Sequence, residues 1–282
     1  MNINWNFVDL MKKGRENYIN DRKFRDFFRK IINLKGNEKI LDVGCGIGTV
    51  PRLINKIYKD VNQIFGIDID QNLIRWGQKH WGKPENIHLL HADVYEIKFP
   101  KNEFNIITSF GLLEWLENPL NALDEMIRVK KEEGRFITLV IEKSKFEKFP
   151  INKQDSYFYN EYLKGVEKMG CPIENEGDYI QSLFSNRGIS TKWYKYIFEQ
   201  TTKITERLIE LWDKTFNKST YLKLIKSSMD FYFQFLKSVG WTIEKFTRYL
   251  EDELSMKKRI EFLQQHLGED MIQRTTMVVL DS

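Results

Sequence analysis

The fold is decided by residues 40–50, which read ILDVGCGIGTV. An apolar run ends in Asp42, and glycine then occupies positions 44, 46 and 48. A short run that is apolar on both faces is typical of a strand buried in a parallel sheet. Glycine allows the backbone to adopt a positive φ and to approach a ligand closely. The stretch therefore predicts a first strand, a bare ligand-binding turn and a following helix.

Further apolar runs alternate with helical patterns along the first half of the chain. The predicted strands after the first are QIFGID, NIHLLHAD, EFNIITSF, GRFITLVIE, STKWYKYIFE and TTMVVLDS. The clearest helix is predicted to begin at Asn118 as N-cap, with Pro119 in its first position, and to end at Gly134. These patterns predict an α/β fold with a Rossmann-like, doubly wound, mostly parallel seven-stranded sheet.

The second half of the chain departs from this alternation. Helical patterns dominate there, and neither a linker-like Pro, Gly or Ser tract nor an internal repeat interrupts them. We therefore expect a single domain over residues 1–282. Its core is expected at about 30–142, 189–199 and 272–282, and a helical cover, inserted after the fifth strand and around the sixth, at about 143–188 and 200–267.

Composition narrows the choice of partners. The 44 basic and 40 acidic residues leave a formal charge of +4 that is spread along the chain, so no clustered phosphate-binding face and no nucleic-acid partner are expected. Cys45 and Cys171 are far apart, which suggests neither a disulfide framework nor a metal site. Because no signal peptide or run of about 18 apolar residues is present, we expect a cytoplasmic protein without a membrane partner.

The glycine turn differs from the dinucleotide-binding fingerprint. If Gly44 and Gly46 were the first two glycines of G-x-G-x-x-G, the third would fall on position 49, which is Thr49. The carboxylate of Asp42 would repel a pyrophosphate but attract a ligand that carries an ammonium group, directly or through water. The turn therefore favours a ligand with an ammonium group over one with a pyrophosphate.

The next two predicted strands also end in aspartate. Asp68 follows Gly48 by 20 residues, and Asp93 ends the third strand. With Asp-x-Gly-x-Gly-x-Gly after the first strand and FNIITSFGLLEWLENPLNALDEMIRVKKEEGRFI further on, residues 38–141 resemble the class I S-adenosylmethionine-dependent methyltransferases, in the branch related to ubiquinone-biosynthesis enzymes. Two other interpretations of these aspartates remain open. Asp68 and Asp70 could form an Asp-x-Asp metal motif, or Asp70 could be a helix N-cap.

The resemblance implies S-adenosyl-L-methionine as cofactor and no metal. Asp68 would accept hydrogen bonds from the ribose hydroxyls, and Asp93 would hold the adenine amino group. An N-terminal helix over the cofactor would place Tyr18 and Arg22, four residues apart, on one face. The full expected cofactor-binding set is Asp42, Gly44, Cys45, Gly46, Asp68, Ile69, Asp93, Val94, Ser109, Tyr18 and Arg22.

No catalytic residue is identified from the sequence. Family members often carry His after the fourth strand, where this chain has Glu114 and Trp115. Because a sulfonium methyl group is already activated, alignment of the nucleophile and exclusion of water can suffice. The residues expected to line an acceptor pocket, for which ordinary helix packing is the alternative, are Trp115, Tyr157, Tyr159, Tyr162, Phe231 and Phe235.

The expected function is methyl transfer to a nitrogen or oxygen nucleophile of a small, apolar or aromatic molecule. Two alternatives remain: an RNA or protein methyltransferase, and a regulatory protein that binds the cofactor without catalysis. The sequence indicates neither the acceptor's identity nor the oligomeric state.

Overall fold

The protein is described by a computed structural model that covers residues 17–58, 61–81, 84–215, 230–252 and 256–282. The strands are β1 Lys39–Val43, β2 Gln63–Asp68, β3 Ile87–His91, β4 Phe104–Phe110, β5 Lys130–Ile141, β6 Glu147–Phe149, β7 Lys192–Lys203 and β8 Asp270–Asp281. They form one sheet in the order β3-β2-β1-β4-β5-β8, with β6 and β7 both paired to β8. The first five strands are parallel and β8 is antiparallel, which confirms the predicted mostly parallel, doubly wound sheet.

The short strand β6 was not predicted. Only residues 277–281 of β8 pair with β5, so the first half of β8 extends beyond that neighbour. Residues 147–149 pair with residues 272–274 of β8 on this otherwise open edge. On its other side β8 pairs with β7 over its full length. The additional strand thus satisfies backbone groups that an overlong β8 would leave exposed.

Helices cover both faces of the sheet. They are α1 Arg22–Ile32, α2 Thr49–Ile57, α3 Gln71–His80, α4 Pro119–Val129, α5 Lys153–Lys168, α6 Glu176–Ser185, α7 Glu206–Thr215, α8 at 230–238, α9 Ile243–Asp252 and α10 Met256–Gln265. One buried cluster joins α1 and α2 to the sheet, and a second joins α4 and α6 to the opposite face. Among the described helices, none is long and apolar enough to cross a membrane.

One predicted helix boundary was wrong, and one predicted helix is interrupted. Helix α4 ends at Val129 and not at Gly134, because Lys130 is extended and pairs with Phe104 at the start of β5. Residues 130–133 are all charged, so a further helical turn would have no apolar side chain to bury. Near the N-terminus, residues 17–20 are helical, but Asp21 is extended and caps a new helix that begins at Arg22.

The second half of the chain contributes both to the core and to a separate aromatic layer. Ile180 and Phe184 of α6 are buried in the cluster that also contains α4 and β5. Helix α6 therefore packs on the sheet, although the sequence placed it in the cover. Helix α5, by contrast, packs with α8 and α9 through aromatic side chains. We name the group α5, α8 and α9 the cover helices.

Candidate functional site

The glycine turn after β1 adopts a conformation that only glycine takes easily. Gly44, Gly46 and Gly48 have φ values of 72°, 56° and 81°. A Cβ on Gly44 would lie 2.9 Å from Cδ1 of Leu112, and one on Gly48 would lie 2.7 Å from Cδ1 of Leu89. The turn is therefore both left-handed and closely packed against the segments that follow β4 and form β3.

The amide groups of this turn point back toward β2. The N–H groups of Gly44 and Cys45 both donate to the carbonyl oxygen of Ile67, at 2.9 Å. The N–H of Gly46 donates to Oδ2 of Asp68 at 2.8 Å. Because these three donors are engaged within the protein, they cannot cradle a phosphate as the amides of a nucleotide-binding loop do. The polar groups that the turn can offer a ligand are mainly carbonyl oxygens, which accept hydrogen bonds from an ammonium group.

Asp42 lies beneath this turn and not on its surface. Its side chain is 1% exposed, and its Oδ1 accepts a hydrogen bond of 2.7 Å from the hydroxyl of Thr108, its partner on β4. From this position Asp42 supports the turn and places a negative charge under it. Because the turn lies between Asp42 and a ligand, the geometry favours an indirect effect. The Asp42 carboxylate would attract the ligand's ammonium group through the intervening backbone or through a water molecule.

Asp68 and Asp70 have different roles. Each carboxylate oxygen of Asp68 accepts one backbone N–H, from Gly46 at 2.8 Å and from Asp70 at 2.9 Å. The half-buried Asp68 therefore joins the glycine turn to the start of α3 at the end of β2. Asp70 caps α3, since its Oδ1 accepts the N–H groups of Asn72 and Leu73. The N-cap reading of Asp70 is confirmed.

The remaining expected cofactor residues lie along the same edge of the sheet with different exposure. Ile69 is 59% exposed, and Asp93 is also exposed, with Oδ1 accepting the N–H of Tyr95 at 2.9 Å. Val94 is half-buried in the core cluster on the α4 side. Ser109 is fully buried, and its hydroxyl has no hydrogen-bond partner within the described ranges. The structure thus brings Ile69 and Asp93 to an open edge and places Ser109 inside.

Tyr18 and Arg22 do not share a helix face, because the helix is interrupted at Asp21. The ring of Tyr18 packs against Phe198 of β7, with centroids 4.8 Å apart. The side chain of Arg22 is 88% exposed and lies 3.7 Å from Asp26. The shared face inferred from a spacing of four was wrong, since aspartate is a strong N-cap and starts a new helix here.

Five of the six expected acceptor-pocket residues come together. Trp115, Tyr159, Tyr162, Phe231 and Phe235 belong to one cluster formed by α5, α8 and the turn after β4. The ring centroids of Tyr162 and Phe235 are 5.3 Å apart, and those of Trp115 and Phe235 are 5.8 Å apart. We call this set the aromatic cluster. The turn Leu113–Trp115 directly follows β4, so the cluster lies at the carboxyl edge of the sheet.

Tyr157 lies apart from this cluster. It is 45% exposed, and its ring contacts Trp241 and Tyr249 instead. The cause is helix geometry: residues two apart in a helix lie about 200° around the axis, so Tyr157 and Tyr159 cannot face the same side. The spacing of three between Tyr159 and Tyr162 does bring those two rings onto one face.

Charged residues that the sequence analysis did not identify lie next to the aromatic cluster. Nζ of Lys143 is 4.6 Å from the centroid of the Trp115 ring and 3.5 Å from Oε1 of Glu176. Glu142 is 1% exposed, accepts the N–H of Gly177 at 3.0 Å and pairs with Lys145. The site therefore combines aromatic side chains with one buried ion pair, Lys143 with Glu176, and with a second pair in which Glu142 is buried but Lys145 is exposed.

Burial sets the protonation of the groups in this region. It raises the pKa of the Tyr159 and Tyr162 phenols, so both stay neutral near pH 7. It raises the pKa of the Cys171 thiol to about 12, which excludes a thiolate nucleophile. Burial also raises the pKa of Glu176, although Lys143 and its amide oppose the shift. Of these four groups, Glu176 is the carboxyl group, and burial shifts its equilibrium toward the protonated form.

Part of this charged group could have been found in the sequence. Glu142 follows the apolar run FITLVI, as Asp68 and Asp93 follow theirs, and Lys143 is the next residue. The signal for Glu176 is absent, because it lies 33 residues beyond Lys143 and meets it only through the packing of α6 on β5. No group of three or more potential metal ligands occurs in the described part of the chain.

Comparisons with known proteins agree with this architecture. A family model described as a methyltransferase domain matches residues 41–138. A demethylmenaquinone methyltransferase of Staphylococcus aureus (strain MRSA252) is 29% identical over 182 residues, which cover 64% of this chain and 73% of that protein.

Two solved structures share the fold over almost the whole chain. The protein BH2331 of Bacillus halodurans C-125 aligns with a TM-score of 0.53 and 16% identity, over 92% of this chain and 97% of its own. The YcgJ protein of Bacillus subtilis aligns with a TM-score of 0.52 and 14% identity, with the same two coverages. The family model thus identifies a methyltransferase domain over residues 41–138, and the two solved structures show that the same fold extends over almost the whole chain.

Proposed function

We propose that this protein binds S-adenosylmethionine at the carboxyl edge of β1, β2 and β3 and methylates a small acceptor held under the cover helices. The observation that carries the proposal is the orientation of the glycine turn. Its first three N–H groups bond to Ile67 and Asp68, so the turn suits an ammonium-bearing ligand and not a phosphate. S-adenosylmethionine supplies an electrophilic methyl group on a sulfonium.

The order of the strands supports a direction for the transfer. Asp93, Asp68 and the glycine turn follow β3, β2 and β1, which are neighbours in the sheet. A cofactor laid along this edge, with adenine at Asp93 and ribose at Asp68, would direct its methionine end toward β4. Gly44 lies directly against Leu112, in the segment that leads to Trp115. The methyl group would therefore be delivered next to the aromatic cluster.

The acceptor side favours a small molecule with an apolar or aromatic body. Phe235 is fully buried and Tyr162 is 7% exposed, so the walls are dry and largely formed by rings. The S. aureus relative is named for an action on demethylmenaquinone, which agrees with a ring-shaped acceptor. The role of the protein is then to align the acceptor with the methyl group and to exclude water.

Calorimetry with matched variants tests cofactor binding. Gly46→Val should abolish the binding of S-adenosylmethionine, because a branched side chain at φ 56° would distort the turn and occupy ligand space. Gly240→Val is the control, since Gly240 also has a positive φ, of 87°, but open space around it. Unchanged affinity in Gly46→Val, or tight binding of NAD to the wild-type protein, would refute the proposed site.

A screen of metabolites for formation of S-adenosylhomocysteine tests the acceptor. Turnover with ring-bearing small molecules is expected. Cofactor binding without turnover on any small molecule would favour the regulatory alternative, and turnover only on RNA or protein would favour the macromolecular one.

A further inference from the structure

A buried lysine lies where the proposed acceptor would meet the sheet. Trp115 and Lys143 belong to short turns that directly follow β4 and β5, two adjacent parallel strands. Lys143 is 8% exposed, and its ammonium lies over the Trp115 ring. Tyr159 of α5 donates a hydrogen bond of 2.8 Å to the carbonyl oxygen of Lys143, so this residue also contacts the cover helices. Lys143 thus stands between the carboxyl edge and the aromatic cluster.

The ion pair of Lys143 with Glu176 is not needed to satisfy Oε1 of that carboxylate. Oε1 already accepts the backbone N–H of Lys143 at 2.8 Å, whereas the ammonium is 3.5 Å away. An apolar side chain would fill the same space without the desolvation cost of a buried ammonium. An ammonium has three donors, and in the described part of the chain its side-chain contacts are Glu176, the Cys171 thiol and the Trp115 ring. Capacity for a further acceptor atom remains.

Glu176 provides the second part of the arrangement. It is fully buried, and its Oε2 has no partner with good hydrogen-bond geometry among the described residues, although the backbone N–H of Glu176 itself is near enough to oppose the rise in its pKa. A buried carboxylate oxygen without a partner is costly unless it serves as an acceptor at some stage of function. Burial also raises the pKa of this carboxyl group, which favours its protonated form.

Several other charged and titratable groups lie around this pair. Glu142 is compensated by Lys145 and by the N–H of Gly177 at the start of α6. The other titratable groups that face Lys143 and Glu176 from the packed elements are Glu114 after β4, Tyr159 on α5, Cys171 after α5, Tyr179 on α6 and Tyr232 on α8. The four tyrosine and cysteine groups in that set stay neutral, because burial raises the pKa of each.

We propose that Lys143 binds a hydroxyl group of the acceptor and that Glu176, acting through Lys143, takes up its proton, so that the acceptor class is a ring compound with an acidic hydroxyl. This inference rests on the proposed function. The Lys143 ammonium gives one of its protons to the Glu176 carboxylate and takes the hydroxyl proton in its place, so that the O–H bond breaks and its electron pair stays on oxygen. The oxyanion, paired with the ammonium, then forms the bond to the methyl group while the bond from sulfur to that methyl breaks. Lys143 contacts the acceptor, whereas Glu176 acts through Lys143 as the final proton acceptor.

This scheme keeps the charge of the buried region constant. Before the proton moves, the ammonium is paired with the Glu176 carboxylate. After the proton has moved, and before the methyl group is transferred, the ammonium is paired with the acceptor oxyanion and Glu176 is neutral. Creating a net charge in a dry site would be far more costly than this exchange. The aromatic cluster suits the ring of such an acceptor, because flat apolar surfaces pack well against aromatic faces.

The test uses 4-nitrophenol, whose anion absorbs visible light, in the presence of saturating S-adenosylhomocysteine. The pH is set about one unit below the pKa of the free probe, which is then mostly neutral. Wild-type protein is expected to bind the probe as its anion. Calorimetry in two buffers of different ionisation enthalpy is expected to give release of nearly zero protons to solvent, because Glu176 retains the proton.

The variants should differ in which form of the probe they bind and in how many protons they release to the buffer. Lys143→Met should bind the probe, if at all, in its neutral form. Glu176→Gln should still bind the anion but release about one proton per probe to the buffer. Lys164→Met, an exposed lysine on α5, is the control and should match the wild type. Circular dichroism and cofactor affinity establish that each variant is folded.

Several outcomes would overturn this inference alone. They are binding of the neutral probe by the wild type, no binding of the probe at all, anion binding that survives in Lys143→Met, or equal proton release in wild type and Glu176→Gln. If S-adenosylhomocysteine itself failed to bind, the proposed function would fail first, so the two failures can be distinguished.

Discussion

Asp68 and Asp70 are two residues apart and serve different parts of the molecule. Asp68→Ala should weaken cofactor binding by about 1–3 kcal/mol, because the ribose acceptor and the anchor of the Gly46 amide are lost together. Asp70→Ala should leave affinity nearly unchanged but lower the free energy of unfolding by about 1 kcal/mol through loss of the α3 cap. Calorimetry and denaturant unfolding measure the two effects. If Asp70→Ala instead weakened cofactor binding more than Asp68→Ala, the interpretation of the two residues as an Asp-x-Asp metal motif would become credible.

Glu176 should make stability depend on pH in an uncommon direction. Burial raises the pKa of Glu176 above its ordinary 4.5, so the native state binds more protons than the unfolded state between the two values. The slope of unfolding free energy with pH is then negative for this group, and its stabilising effect is lost as the pH rises through the folded pKa. The stability of Glu176→Gln relative to wild type should therefore rise with pH above about 4.5.

Urea unfolding at several pH values measures that difference. Glu244 gives the control of opposite sign, since hydrogen bonds to its own backbone N–H and to Thr242 lower its pKa. The relative stability of Glu244→Gln should fall with pH where Glu244 becomes charged. A Glu176→Gln difference that stays flat or falls with pH would show that Glu176 is not held closer to its neutral form by burial.

The sequence predicts those features that depend only on residues near one another in the chain. A glycine turn after an apolar run, or an aspartate at a strand end, is visible within ten residues, and Asp70 was recognised as a cap by the same local logic. Lys143 and Glu176 meet only because α6 packs on β5, and no local pattern records that contact. Tyr157 is different: the helical period itself separates it from Tyr159, so it could have been excluded from the sequence alone.

At the scale of elements, the strands were predicted more accurately than the helix ends. Buried strands have an unmistakable apolar pattern, whereas the end of α4 depends on pairing of Lys130 with Phe104 in the neighbouring strand. The extra strand β6 likewise depends on the length of β8, which extends beyond β5. Both differences arise from tertiary hydrogen bonding, which overrides local preference.

The crossing of α5 and α8 gives a prediction for these elements. A Cβ on Gly165 would collide with the backbone of Phe235, lying 2.6 Å from its carbonyl carbon. Gly165→Ala should therefore push α8 away and loosen the aromatic cluster. We expect weaker 4-nitrophenol binding and lower stability, with unchanged affinity for S-adenosylmethionine. Lys164→Ala, exposed on the same helix, is the control, and an equal loss in both variants would contradict the close crossing as the cause.

Across the whole molecule, the two proposed ligand sites differ in what builds them. The cofactor site uses turns that follow β1, β2 and β3, all anchored in the buried sheet. The acceptor site uses the turns after β4 and β5 together with cover helices that pack mainly on one another. Such a layer has fewer contacts with the rigid sheet, so its local stability should be lower than that of the core.

Hydrogen exchange followed by mass spectrometry tests this division. With S-adenosylhomocysteine alone, protection should increase mainly in residues 40–50, 67–73 and 91–95, because those turns contact the cofactor in the proposed arrangement. Addition of 4-nitrophenol should then slow exchange in α5 and α8, since a ring bound against Trp115 and Phe235 holds the cover helices against the sheet. The second effect should be absent in Gly165→Ala, whose crossing is opened, and present in Lys164→Ala. Protection confined to residues 38–115 after both additions would mean that the cover helices do not close on a small acceptor, and a large acceptor docking from outside would become the better proposal.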